Sequence, residues 1–245
     1  MPHRYIQQPC GFERQLPLSN VKNAGLQHEV WHFSILFFYF MDTTPLHCLL
    51  ADPSFAACYD HASLNAADSQ RLAATPQLAQ RQDWQVSRAL KQQTDLPTVS
   101  LSHSKGFAAL LCAPHPLTAG VDIEFIRPRD FKALSALVCS QEEQDYLETA
   151  NWPSETFYRL WCFKEALIKA ANLDFPSDMK SVGYVFDSGQ PVGLRTGKQT
   201  DWYGTSAILA DTMALACVWK GKAVALQWQF FGSLKSNDLT DRQTI

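Results

Sequence analysis

Charge is scarce in this chain. Of 245 residues, 18% are charged and 46% are hydrophobic, against the ~25% charged usual in globular domains. Such a composition supports a buried core and excludes disorder along the whole length. The basic excess that a nucleic-acid surface needs is also missing: 21 Lys and Arg stand against 24 Asp and Glu, a formal net charge of −3. That balance still leaves room for a small anion in a local basic pocket. Long apolar runs are absent too. The longest, Phe33 to Met41, is about nine residues and contains Ser34, whereas a membrane span needs about 20. Asp42-Thr43-Thr44-Pro45 follows it in place of a small-residue cleavage site, so a secretory leader is not expected. The seven cysteines (10, 48, 58, 112, 139, 162, 217) include no C-x-x-C pair and no zinc-ribbon spacing. The expectation is a soluble cytoplasmic protein with reduced thiols, no membrane or nucleic-acid partner, and one large domain or two small ones.

The first 40 residues differ from the rest. Pro, Gln, Asn and Gly stand in no sustained period and run into Trp31-His32-Phe33-Ser34-Ile35-Leu36-Phe37-Phe38-Tyr39-Phe40. An extension before the core is one reading; a true start at Met41 is another. His28-Glu29-Val30-Trp31-His32 matches H-E-x-x-H, but that zinc motif needs a helix and a third ligand. Here it enters a β-prone aromatic run, so no zinc site is expected.

Beyond it the pattern alternates helix and strand. A strand is predicted at Leu46–Leu50, and helical spacing over 64–93 is broken at Pro76. Strands follow at Thr98–Leu101, Phe107–Cys112 and Ala119–Ile123. Ser140-Gln141-Glu142-Glu143 is a capping box opening a helix to about Thr149. A longer helix is predicted over 155–171, ended by Asn172, a residue that tolerates the left-handed conformation. Further strands are predicted at 182–187, 191–196, 206–210, 213–219 and 223–230, and the tail from Ser233 is expected to fray. The fold class is α+β, with antiparallel sheets and packed helices in each half.

Three features carry possible chemistry. In Gly120-Val121-Asp122-Ile123-Glu124, residues two apart share a strand face, so Asp122 and Glu124 project together. Paired carboxylates near a core are costly without a cation, and Mg²⁺ takes such oxygen ligands; an exposed acidic strand end reads equally well. In Trp161-Cys162-Phe163-Lys164-Glu165-Ala166-Leu167-Ile168-Lys169-Ala170, Glu165 and Lys169 share a helical face. They are either surface decoration or, with Trp161 on the same stripe, a base and a phosphate-binding charge. In Ser102-His103-Ser104, the histidine is either structural or a phosphate donor. Residues 71–105 also concentrate Arg71, Arg81, Arg88, Lys91 and Lys105 against two Asp.

Taken in order, Ser102–Ser104, Gly120–Glu124 and Trp161–Ala170 resemble the Sfp-type 4'-phosphopantetheinyl transferases, as does Arg127-Pro128-Arg129-Asp130. The likeness covers about residues 46–230. It implies a pseudo-dimer of two related α/β halves with a cleft between them. In that division, 1–40 is an extension, 41–119 an N-terminal half with coenzyme A contacts, 120–232 a C-terminal half with the metal and catalytic motifs, and 233–245 a polar tail. It implies transfer of the 4'-phosphopantetheine arm of coenzyme A to a serine of an apo acyl or peptidyl carrier protein, the holo-acyl-carrier-protein synthase type of reaction, by a monomer. Asp122, Glu124 and Glu165 would hold Mg²⁺, with Mn²⁺ as substitute. Glu165 would take the serine proton and Lys169 would neutralise the attacked phosphate. Ser102, His103, Arg81, Arg88, Lys164 and Lys169 would contact coenzyme A. Arg127, Arg129 and Lys132 would be docking contacts for an acidic carrier or simply solvated charges. The family's Gly-Lys-Pro segment is replaced here by Lys91-Gln92-Gln93-Thr94-Asp95-Leu96-Pro97. A non-catalytic carrier binder is the alternative; it predicts loss of a carboxylate or of Lys169, and all are present.

Overall fold

The computed structural model describes residues 44–221 and 224–245. The N-terminal extension, the alternative start at Met41 and the His28–His32 motif lie outside the described residues.

Among the described residues, ten strands form two sheets. At the centre of the first is β1 (Thr44–Ala51), whose Leu46, Cys48, Leu49, Leu50 and Ala51 are all buried. That near-continuous apolar run suits a strand covered on both faces. It pairs antiparallel with β3 (Phe107–Cys112) and parallel with β9 (Val224–Phe231). The edge strand β2 (Thr98–Ser104) pairs antiparallel with β3. The second sheet runs β4 (Ala119–Phe125), β8 (Met213–Lys220), β7 (Gln199–Leu209), β6 (Gln190–Thr196), β5 (Val182–Asp187). The first sheet thus takes a strand from late in the sequence, and β4 is an edge of the second.

Five α-helices accompany the described strands: α1 (Ala66–Ala74), α2 (Gln82–Lys91), α3 (Phe131–Val138), α4 (Gln141–Thr149) and α5 (Ser154–Ala171). α2 packs on β3, and α5 packs along β4 and β8. The expected capping box opens α4, with both reciprocal bonds between Ser140 and Glu143 formed. Asn172 ends α5 in the left-handed conformation, φ 51°. Gly120 decides how closely α5 approaches β4: a Cβ there would lie 2.1 Å from the Ala166 carbonyl oxygen and 3.1 Å from the Ala170 Cβ. The glycine of the Gly-Val-Asp-x-Glu motif is therefore the floor on which the helix rests.

The expected antiparallel pairing holds except in the first sheet, where β9 lies parallel to β1 and makes the sheet mixed, and two elements depart from the sequence reading. The tail does not fray: β10 (Leu239–Thr244) pairs with β7 at Thr205–Leu209, taking up that edge where β6 leaves it. Burial of Leu239 and an ion pair from Arg159 to Asp241 hold it. α3 had no predicted counterpart. It starts on Asp130, whose side chain accepts from the Ala133 N–H, and buries Phe131, Ser135 and Val138 at helical spacing. No helix among the described residues is long and apolar enough to cross a membrane.

Candidate active site

The two edge strands β2 and β4 lie side by side, and hydroxyl groups bridge them. Ser100, Ser102 and Ser104, two apart, share one face of β2. Ser100 Oγ accepts from the Val121 N–H at 3.1 Å. Ser102 Oγ donates to Asp122 Oδ1 at 2.8 Å. Ser104 Oγ donates to Glu124 Oε2 at 3.0 Å and accepts from the Phe125 N–H at 3.4 Å. The serines therefore aim both carboxylates of the strand.

Because α5 rests on Gly120, Lys169 reaches the same point. Its Nζ donates to Asp122 Oδ1 at 2.6 Å, to Ser102 Oγ at 3.0 Å and to the Val121 carbonyl at 3.3 Å. Asp122 is 1% exposed, yet its Oδ2 has no hydrogen-bond partner among the described residues. A buried carboxylate oxygen left bare is costly. Around it stand two more acids. Burial, and then the negative charge of Asp122, raises the Glu124 carboxyl above its usual range. The same two causes push Glu165 up to about 7, while Lys169 and a hydrogen bond from Trp161 pull the other way. The buried thiol of Cys162 beneath is raised by desolvation and by the Asp122 and Glu124 charges.

This donor set suits a hard divalent cation: carboxylate oxygens only, one of them unpartnered, with mutual repulsion that a cation would relieve. Among the described residues no three His, Cys, Asp or Glu side chains are already gathered into a coordination cluster. Lys169 supplies the neutralising charge at Asp122 instead.

The expected coenzyme A contacts fall into two groups. His103, half-exposed on β2, has Nδ1 3.5 Å from Asp83 Oδ2. Asp83 also accepts from Nε and Nη2 of the exposed Arg81. Burial, with the positive charges of Arg88, Arg81 and Lys169 close by, lowers the His103 pKa and outweighs Asp83. Arg88 is buried, donates to Asp68 at 3.0 and 3.1 Å, and stacks 3.8 Å above the Trp84 ring. With Lys91 it lines a small polar cavity. Lys164 corrects the sequence reading. It stands outside this group, wholly buried, with Nζ 2.7 Å from Glu143 Oε2. Its ammonium is committed to a core ion pair and is not offered to a ligand.

Sequence reasoning missed Asp83, Ser100 and the reach of Glu143. Ser100 was signalled by its spacing from Ser102 and Ser104. Asp83 and Glu143 act through tertiary contacts that no local pattern carries. A cleft beside Glu124 is lined by Arg127, Arg129 and Trp161, so the site opens beside two arginines.

Residues 118–218 match the family model described as the 4'-phosphopantetheinyl transferase superfamily. That stretch contains Asp122, Glu124, Glu165 and Lys169. A Haemophilus influenzae protein provisionally named a 4'-phosphopantetheinyl transferase is 32% identical over 74 residues. The match covers 29% of this chain and 32% of that relative, so it spans about a third of the relative's length.

Proposed function

We propose, from the match of residues 118–218 to the 4'-phosphopantetheinyl transferase superfamily, that the chain transfers the phosphopantetheine arm of coenzyme A to a serine of an apo acyl or peptidyl carrier protein. The observation that carries the proposal is the buried Asp122 carboxylate, held by Ser102 and Lys169 with one oxygen bare among the described residues, and near enough to Glu124 and Glu165 for its charge to raise both carboxyls. In the reaction the serine oxygen forms a bond to the β-phosphorus of coenzyme A. The pyrophosphate P–O bond breaks, and adenosine 3',5'-bisphosphate leaves with the electron pair.

Each residue has a task that its surroundings support. Glu165, with its carboxyl raised to about 7, is suited to accept the serine proton near neutral pH. Lys169 stabilises charge on the phosphate under attack. Asp122, Glu124 and Glu165 would hold Mg²⁺ or Mn²⁺, which supplies charge neutralisation on the pyrophosphate. Ser102 and Ser104 orient the two strand carboxylates. His103, with Arg81 and Arg88 nearby, would receive the phosphates at the other end of coenzyme A. Positioning and charge then supply most of the catalysis.

The two sheets, each with its own packed helix, support reading residues 41–119 and 120–232 as related halves of a pseudo-dimer in which the second half lends β9 to the first sheet, with β10 of 233–245 joining the second. We place the reaction in the cytoplasm as a monomer; the buried free thiols of Cys48, Cys112, Cys139, Cys162 and Cys217 suit that compartment. The test is mass spectrometry of several apo carriers after incubation with coenzyme A and Mg²⁺. A carrier gaining one phosphopantetheine group on its serine supports the proposal, and no gain on any acyl or peptidyl carrier refutes it.

A further inference from the structure

Lys164 directly precedes Glu165 on α5 and lies about 100° further round the helix. Its ammonium donates to Glu143 Oε2 at 2.7 Å, to the Met179 carbonyl at 2.8 Å and to the Val182 carbonyl at 2.5 Å. All three donors are engaged. Glu143 is equally committed: Oε2 also accepts from the Ser140 N–H at 2.8 Å, and Oε1 from the Tyr184 N–H at 3.0 Å. Both side chains are fully buried. β5 leaves room for them at Gly183, where φ is +135° and a Cβ would stand 1.9 Å from Glu143 Oε1 and 2.9 Å from Lys164 Nζ.

An ion pair this deep is a poor way to gain stability, because apolar side chains of similar volume often serve as well or better. What it does supply is a setting. Three bonds, to Glu143 of α4, to the turn before β5 and to β5 itself, converge on one point of α5, and two more from the Ser140 and Tyr184 N–H groups hold Glu143 in place. A slip of the helix by one residue would swing Lys164 about 100° out of this nest and carry Lys169 away from Asp122 by the same turn.

We propose that Glu143 and Lys164 are positioning residues for the transfer reaction: the pair fixes the rotation and height of α5 at which Glu165 and Lys169 meet Asp122. The inference rests on the functional reading above. It assigns Lys164 a role distinct from contact with coenzyme A.

The experiment compares the full-length protein with the Glu143→Gln/Lys164→Met double variant, which removes both charges and leaves neither stranded. The expected result is a folded protein melting close to wild type, with kcat lowered at least about tenfold and the KM for coenzyme A within about threefold. Wild-type kcat in the folded double variant overturns the proposal. So does an unchanged kcat with a KM raised about tenfold, which would make Lys164 a ligand contact.

A second measurement does not need turnover or the double variant. In Glu143→Gln alone, amide hydrogen exchange over 164–171 should quicken about tenfold while the β8 amides keep their protection. Equal loss in β8, or no change in α5, overturns the tether. This outcome is decided even if the wild-type protein modifies no carrier, in which case the functional reading fails by itself.

Discussion

Lys169 Nζ stands 2.6 Å from Asp122 Oδ1, and the other oxygen of that carboxylate, buried with it, has no partner among the described residues. The lysine half-satisfies the acid and leaves an oxygen for something else. Removing the lysine should therefore be felt in stability as well as in turnover. Lys169→Met is expected to destabilise the metal-free protein by about 1–3 kcal/mol, since it strands a buried carboxylate. Mg²⁺ should restore part of the loss by binding the folded state. Thermal denaturation with and without Mg²⁺ checks this; a variant as stable as wild type and indifferent to Mg²⁺ would contradict it.

Glu165 supplies the second prediction. Glu165→Gln keeps the volume and removes the base, so transfer should fall by about 10²–10⁴-fold with the circular-dichroism spectrum unchanged. Near-normal turnover in that variant would remove Glu165 from its assigned role.

The raised carboxyl of Glu165 also fixes two pH dependences. As a base it acts only when deprotonated, so transfer should rise with pH, and bound cation should bring the midpoint below about 7. In folding the sign is opposite. The folded carboxyl binds its proton more tightly than the unfolded one, whose pKa is about 4.3. Its stabilising share is complete below that value and is lost as pH rises through about 7. Urea unfolding of metal-free wild type and Glu165→Gln should show the wild-type advantage shrinking between about pH 4 and 7. A constant difference would mean that the carboxyl is not perturbed.

The serine bridge gives a fourth. Ser104→Ala removes the donor to Glu124 and the acceptor of the Phe125 N–H. It should cost about 1 kcal/mol in denaturant unfolding. Because Ser104 aims a proposed metal ligand, more Mg²⁺ should be needed for half-maximal transfer. An unchanged Mg²⁺ requirement would leave Ser104 a purely structural residue.

Gly120→Ala is the fifth. The new Cβ would meet a backbone carbonyl at 2.1 Å, and a helix backbone cannot swing aside like a side chain. A loss of about 1–3 kcal/mol is expected, readable as a fall of several degrees in melting temperature. Transfer should fall further than stability does, because α5 carries Glu165 and Lys169.

Local chemistry made much of this readable in advance. Period-two spacing put Asp122 and Glu124 on one face, the Ser140 capping box opened α4, and Asn172 closed α5. What stayed hidden depends on contacts distant in sequence. Lys164 and Glu165 are adjacent, and nothing in the motif shows that one enters the core while the other faces the site; Glu143, 21 positions earlier, decides it. Likewise β10 reads as polar tail because its pairing partner, β7, begins 40 residues before it. The short α3 was hidden behind the Arg127–Asp130 motif, although Asp130 was itself the helix-start signal.

The central claim is that Asp122, Glu165 and Lys169 form one transfer centre. Its most direct test is a single reaction with coenzyme A tagged on its thiol, Mg²⁺ and an apo carrier, run for wild type, Asp122→Asn and Lys169→Met. The expected result is the tag on the carrier serine with wild type, loss of that signal on adding a chelator, and at least about a hundredfold less with either variant. Equal labelling by the folded Asp122→Asn variant would contradict it.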